Sequence, residues 1–229
     1  MFFIPDFYSG TGFQVAGRIA EVVTGATRYG IDVRYPGMRF AVIARCPWFD
    51  GGIRSWDGTA ARAVPGVVAV HQIPSGVAVV ARDFWSASRG RDALQIDWDE
   101  SGAVTASSAT LMASYRERAQ SAGVVARSEG AVDTALEKAA SRLDASYEFP
   151  YLAHAAMEPM NCVAKFENGK AELWVPTQNP QNARSEVAKA LDISEDNVTV
   201  HVTLMGGGFG RRLISDFLFR NCLINFPTN

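Results

Sequence analysis

Residues 162–212 read "CVAKFENGKAELWVPTQNPQNARSEVAKALDISEDNVTVHVTLMGGGFGRR". Two runs alternate apolar and polar residues, and Asn168-Gly169 joins them. Asn-Gly between alternating runs is the strongest short-range hairpin signal. The segment "NPQNARSEVAKALDI" has helical periodicity and starts after residues 177–179. A β-branched run, "NVTVHVTL", follows and delivers a cluster of four glycines. Hairpin, helix and strand in this order argue for an α+β domain with a mixed sheet.

Working toward the N-terminus, "LDASYEFPYLAHAAMEP" is an extended stretch broken at Pro150 and Pro159. Ahead of it, "SSATLMASYRERAQS" predicts a helix capped by Ser107 or Ser108, "GVVARSEG" (123–130) a short strand, and "AVDTALEKAASR" a helix. Residues 101–108 are small and polar and read as a linker. The first hundred residues alternate strands and short helices. "RFAVIARC", "GGIRSWD", "VVAVHQI", "GVAVVAR" and "QIDWDE" are the strands. One helix starts near Asp57 and stops at Pro65-Gly66, and a second, "DFWSASRGRDAL", has Asp83 as its N-cap candidate. This alternation argues for a compact α/β domain to about Glu100.

The composition is that of a globular protein: 229 residues, 48% hydrophobic, 20% charged, net charge -2. The charge balance offers nothing for a nucleic-acid backbone, and no run is long enough to span a membrane. The start, "MFFIPDFYSGTG", lacks the basic region of a signal peptide. Three separated cysteines, Cys46, Cys162 and Cys222, form no C-x-x-C pair and cannot supply a four-thiolate cluster.

The glycine cluster, "MGGGFGRR" (205–212), fits neither standard phosphate motif. A Walker loop needs Gly-Lys-Ser/Thr at fixed spacing, and a dinucleotide fingerprint starting at Gly206 needs glycine where Arg211 stands. Two readings remain on pattern alone. One is a tight bend. The other is a concavity of backbone amides for an anion, with Arg211 and Arg212 as adjacent charge.

Two further stretches, "YLAHAAMEPMNCVA" (151–164) and "WVPTQNPQNAR" (174–184), accompany the glycines in order. With "GATRYGIDVRYPGMRFAVIARCP", "VPGVVAV" and "GVAVVARDFWSASRGRDAL" they resemble the molybdopterin-binding large subunit of the xanthine dehydrogenase and aldehyde oxidase family. The branch is that of the isoquinoline 1-oxidoreductase beta chain. The resemblance covers residues 22–216. It implies an unmatched segment (1–23), an α/β hammerhead-like domain (24–100), a linker and helical connection (101–146), the first part of a molybdopterin-binding domain (147–216) and an atypical tail (217–229).

The family's chemistry is implied with it. A molybdenum cofactor, as molybdopterin or its cytosine dinucleotide form, hydroxylates an aromatic N-heterocycle or an aldehyde with oxygen from water. A glutamate deprotonates the metal-bound hydroxyl, hydride passes to a sulfido ligand, and electrons leave through [2Fe-2S] clusters on an iron–sulfur small subunit. Carried over by motif, Gln178 bonds an oxo ligand. Gly207, Gly208, Phe209, Gly210 and Arg211 line the cofactor, and Phe209 and Leu213 face the substrate. Without the resemblance, Gln178 reads as a cap for the following helix. His154 and Glu158 read as a buried pair satisfying backbone in an irregular segment, with nothing to set Glu158 opposite the glycines.

Three departures qualify the resemblance. Leu213 replaces the acidic residue of the purine-oxidising branch. The family's general-base glutamate lies well beyond this loop, and the last residues, "LFRNCLINFPTN", leave the family pattern. Ahead of the hammerhead the branch has a sizeable segment, often with a twin-arginine signal, against about twenty unmatched residues here. The expectation is therefore a fragment holding one wall of an active site and no catalytic base. A partner- or anion-binding module and a truncated gene product are the alternatives.

Overall fold

A computed structural model describes residues 19–218. The readings of the N-terminal twelve residues and of Cys222 with the end of the tail lie outside the described residues. The chain divides into two compact units, residues 103–153 forming one and the flanking segments together the other.

In the larger unit, a short exposed helix, α1 (Ile19–Val23), precedes β1 (Phe40–Ala44), β2 (Gly52–Asp57) and α2 (Thr59–Ala63). Then come β3 (Val67–Ile73), β4 (Gly76–Ala81), α3 (Phe84–Asp92) and β5 (Gln95–Asp99). Strands β1, β4 and β3 make one sheet with β4 in the middle, and β2 pairs with β5; every pairing is antiparallel. The two-residue link between β3 and β4 is too short for a parallel crossover, so alternation along the chain does not become a parallel sheet. All six residues of β4 are buried, as its β-branched run requires. Val77, Val79, Val70 and Ala61 form the core, packed by Ile53, Trp56 and Leu94. Helix α3 starts where Asp83 accepts a hydrogen bond from Ser86 N, as the cap candidate requires.

The second sheet holds β6 (Val163–Glu167), β7 (Lys170–Val175) and β8 (Val198–Val202). Asn168 and Gly169 both take positive φ, 52° and 73°, which the two-residue turn demands. Strand β6 is antiparallel to β7 and β8 is parallel to it, so the sheet is mixed, as the hairpin-helix-strand order implies. Helix α6 (Pro180–Leu191) is the crossover. It lays Ala183, Val187 and Ala188 on Leu173, Val175 and Val198, and Phe217 and Leu218 close this core. On the other face Trp174 stacks on His201, with ring centroids 5.0 Å apart. Residues 29–35 also meet this sheet: Tyr29 forms a parallel bridge with Leu204, and Tyr35 lies against Trp174.

The smaller unit carries α4 (Ser108–Arg118), capped by Ser107, and α5 (Val132–Glu137). Arg116 grips Glu148 with two hydrogen bonds, at 2.7 and 2.8 Å, and the hydroxyls of Tyr115 and Tyr151 meet at 2.6 Å. The strand expected at residues 123–130 is absent. Val124 is 99% exposed and no strand in this unit pairs with it, so β-propensity has nothing to act on.

Candidate functional site: a glycine loop and the carboxamide beside it

Strand β8 runs out at Val202, and the chain turns through Gly206, Gly207, Gly208, Phe209 and Gly210 into a single 3-10 turn at Arg211–Leu213. Two of the glycines are required by close approach. A Cβ on Gly206 would sit 2.5 Å from Cβ of Glu158, and one on Gly208 would sit 2.9 Å from Oε1 of Gln178. Gly207 has φ +108°, a region closed to ordinary side chains. Phe209 holds φ +54° and leaves its ring 73% exposed.

Gln178 lies between β7 and α6. Its Oε1 accepts from Gly210 N at 3.1 Å. A backbone N–H can only donate, so this bond fixes which end of the carboxamide faces the loop. The NH2 group is left as donor, with no protein acceptor among the described residues. The amides of Gly207, Gly208 and Phe209 likewise meet no protein acceptor among the described residues. The capping role belongs to the next residue: Asn179 Oδ1 accepts from Asn182 N at 3.2 Å, and Pro180 occupies the first helical position. The reading of Gln178 as the helix cap is therefore corrected. Thr177, buried, holds the segment by donating from Oγ1 to the Arg212 carbonyl at 3.2 Å and accepting from Asn179 N.

The arginines do not present free charge beside the loop. Arg212 is fully buried. Its guanidinium donates to the carbonyls of Gly207 (2.8 Å), Pro176 (3.3 Å) and Glu158 (2.8 Å), and to Glu158 Oε2 at 3.0 Å. Burial pulls its pKa down while the Glu158 carboxylate opposes the change. Arg211 makes a two-pronged bridge to Asp216, at 2.7 and 2.9 Å, and this bond pushes its pKa up. The anion-concavity reading set both charges beside the loop. Instead the long side chain of Arg212 turns inward, where carbonyls need donors.

Glu158 does lie at the loop, contrary to expectation. Its carboxylate accepts from Gly206 N (2.9 Å), Arg212, Ile31 N (3.0 Å) and Asn161 Nδ2 (2.9 Å). Its exposure is only 6%. The expected buried partner is not there: His154 is exposed. The Met-Glu-Pro motif was the available signal for Glu158. Nothing in spacing ties residue 158 to residue 206, because the contact needs the whole sheet between them. Leu213 is half-exposed near the end of the loop. Among the described residues no three His, Cys, Asp or Glu side chains converge as a metal site.

The family of molybdopterin cofactor-binding domains matches residues 116–224, which contain this loop, Gln178 and Glu158. The beta chain of isoquinoline 1-oxidoreductase from Brevundimonas diminuta is 34% identical over 209 residues, 85% of this chain. The chain belongs to the molybdopterin-binding subunits of the xanthine dehydrogenase family. Among its relatives, a component of nicotinate dehydrogenase from Pseudomonas putida is 28% identical over 89% of the chain. The chain spans only 26% and 18% of the length of these two relatives. Quinoline 2-oxidoreductase from Pseudomonas putida 86 shares the fold, with a TM-score of 0.66 over 90% of this chain and 32% of its own, at 24% identity.

Proposed function

We propose that this chain forms one wall of a molybdopterin centre in an oxidoreductase that hydroxylates an aromatic N-heterocycle, or an aldehyde, with oxygen from water. The observation that carries the proposal is the bond between Gln178 Oε1 and Gly210 N. It leaves the carboxamide NH2 as a donor beside a loop in which the amides of Gly207, Gly208 and Phe209 also meet no acceptor among the described residues. Such a set of neutral donors suits an oxygen-rich, anionic group and adds no charge of its own. Glycine at position 208 lets the carboxamide pack directly on the loop, because a Cβ there would lie 2.9 Å from Gln178 Oε1.

When bound, the molybdenum cofactor supplies a centre able to take up the two electrons of the hydroxylation. Gln178 would hold the cofactor through its NH2, the end that Gly210 leaves as donor. The backbone of Gly207, Gly208, Phe209 and Gly210 would line the cofactor, and Arg211, tied to Asp216, would stiffen the end of the loop beside it. Phe209 and Leu213 offer apolar surface to a flat ring. Leu213 brings no charge, which disfavours a purine and suits an uncharged ring edge. The names of relatives and of the structural neighbour, isoquinoline, nicotinate and quinoline oxidoreductases, support the heterocycle class.

Glu158 is not the general base. Its carboxylate is occupied by three neutral N–H donors and the Arg212 guanidinium, and removing that charge would strand a buried cation. We assign the base, the remaining cofactor contacts and the iron–sulfur clusters to parts of the enzyme outside residues 19–218. The cofactor takes the molybdopterin or cytosine dinucleotide form.

Molybdenum analysis of the assembled complex purified from its host tests the proposal. One molybdenum per copy of this chain is expected, with a reduced content after Gln178→Ala. A complete complex free of molybdenum overturns it.

A further inference from the structure

Glu158 and Arg212 take no part in the chemistry proposed for the loop, yet four stretches of chain meet at their side chains. Glu158 Oε2 holds Gly206 N, and Oε1 holds Ile31 N and Asn161 Nδ2. The Glu158 backbone N–H also donates to Gly206 O at 3.0 Å. Arg212 reaches Gly207 O and Pro176 O, and its own carbonyl accepts from Gln178 N at 3.1 Å and from Thr177 Oγ1. Arg212 and Glu158 are both buried, at 0% and 4% side-chain exposure.

A buried ion pair is weak evidence for net stability, because desolvation offsets the attraction. What this pair supplies is direction. It grips the start of the loop at Gly206 and Gly207. It also ties the end of the loop, at residue 212, to the segment that carries Gln178. The distance between Gln178 Oε1 and Gly210 N is therefore set from beneath.

We propose that Glu158 and Arg212 are positioning residues, which hold the glycine loop against Gln178 so that the carboxamide NH2 stays turned toward the cofactor side. The orientation belongs to this chain; its use rests on the molybdopterin proposal above. Glu158 further couples the loop to the turn at Gly30–Asp32 through Ile31 N. Displacing that turn pulls on the same carboxylate that holds Gly206.

Amide hydrogen exchange and side-chain amide NMR on the full chain test this without any metal. In Glu158→Ala, exchange at Gly206 and also at Gly210, which Glu158 does not touch, is expected to quicken by about tenfold or more. The Gln178 NH2 resonances are expected to shift, while the amides of β4 stay within about twofold of the parent. Arg212→Lys keeps the charge but not the fork, so it is expected to leave Gly210 fast. Glu158→Gln, isosteric and less disruptive, gives the same readout if Glu158→Ala does not fold. An unchanged Gly210 and unshifted Gln178 signals overturn the proposal, as does full rescue by Arg212→Lys, which would mean charge alone matters. Acceleration of equal size at β4 overturns it too, since that marks loss of global stability. A chain that passes this test in a complex without molybdenum keeps the clamp and loses the function proposed for it.

Discussion

Gln178 and Gly210 stand 32 positions apart, and the carboxamide oxygen of one accepts the backbone N–H of the other at 3.1 Å. One bond thereby decides which end of the side chain is available. Two substitutions separate its consequences. Gln178→Glu keeps an acceptor for Gly210 and removes the NH2. It should leave the urea midpoint of the chain nearly unchanged and sharply lower molybdenum in the assembled complex. Gln178→Ala removes both functions and should in addition destabilise the chain by about 0.5–1.5 kcal/mol.

Alanine at Gly208 would bring its Cβ to 2.9 Å from the Gln178 oxygen, and at Gly206 to 2.5 Å from the Glu158 Cβ. Overpacking of this kind costs about 1–3 kcal/mol. At Gly52 the nearest atom to a new Cβ is 3.9 Å away, which is ordinary contact. Thermal melts of the three alanine variants should rank Gly52→Ala well above the other two.

Asn179 caps α6 through Asn182 N. Asn179→Ala should lower the unfolding free energy by about 1 kcal/mol, read from urea denaturation, and Asn179→Asp should largely preserve it.

Asp83 gives a pH signature. The backbone N–H of Ser86 and then its hydroxyl hold the Asp83 carboxyl below its ordinary range. A pKa lower in the folded chain than in the unfolded one means that folding favours the ionised form. The contribution is complete above the unfolded value, about pH 4, and disappears as pH falls through the lower folded value. Chemical denaturation of Asp83→Asn against the parent should therefore differ more at pH 6 than at pH 3, with the α3 amides following.

Local signals carried most of the secondary structure. The bounds of β3 agree with the β-branched run between Gly66 and Pro74, and Asn168-Gly169 marks the hairpin turn because its conformation needs those residue types. The segment 123–130 misled for the same reason, since Val124 and Val125 have strand propensity and no neighbour to pair with. At the site, the glycines and Gln178 were visible as motifs. The inward turn of Arg212 was not, because a guanidinium on pattern alone looks like surface charge.

The sequence by itself determined most of the elements, the mixed α+β character and the family, since these depend on residue types at short spacing and on motifs in order. Tertiary structure alone decided that Glu158, Arg212 and Ile31 meet beneath the loop, and that Asn179 rather than Gln178 caps α6. The physical reason is burial. Where Glu158, Pro176 and the glycine loop pack together, inward carbonyls and amides lose water and must find partners there. Which side chains then answer is a matter of reach in three dimensions, which spacing along the chain does not encode.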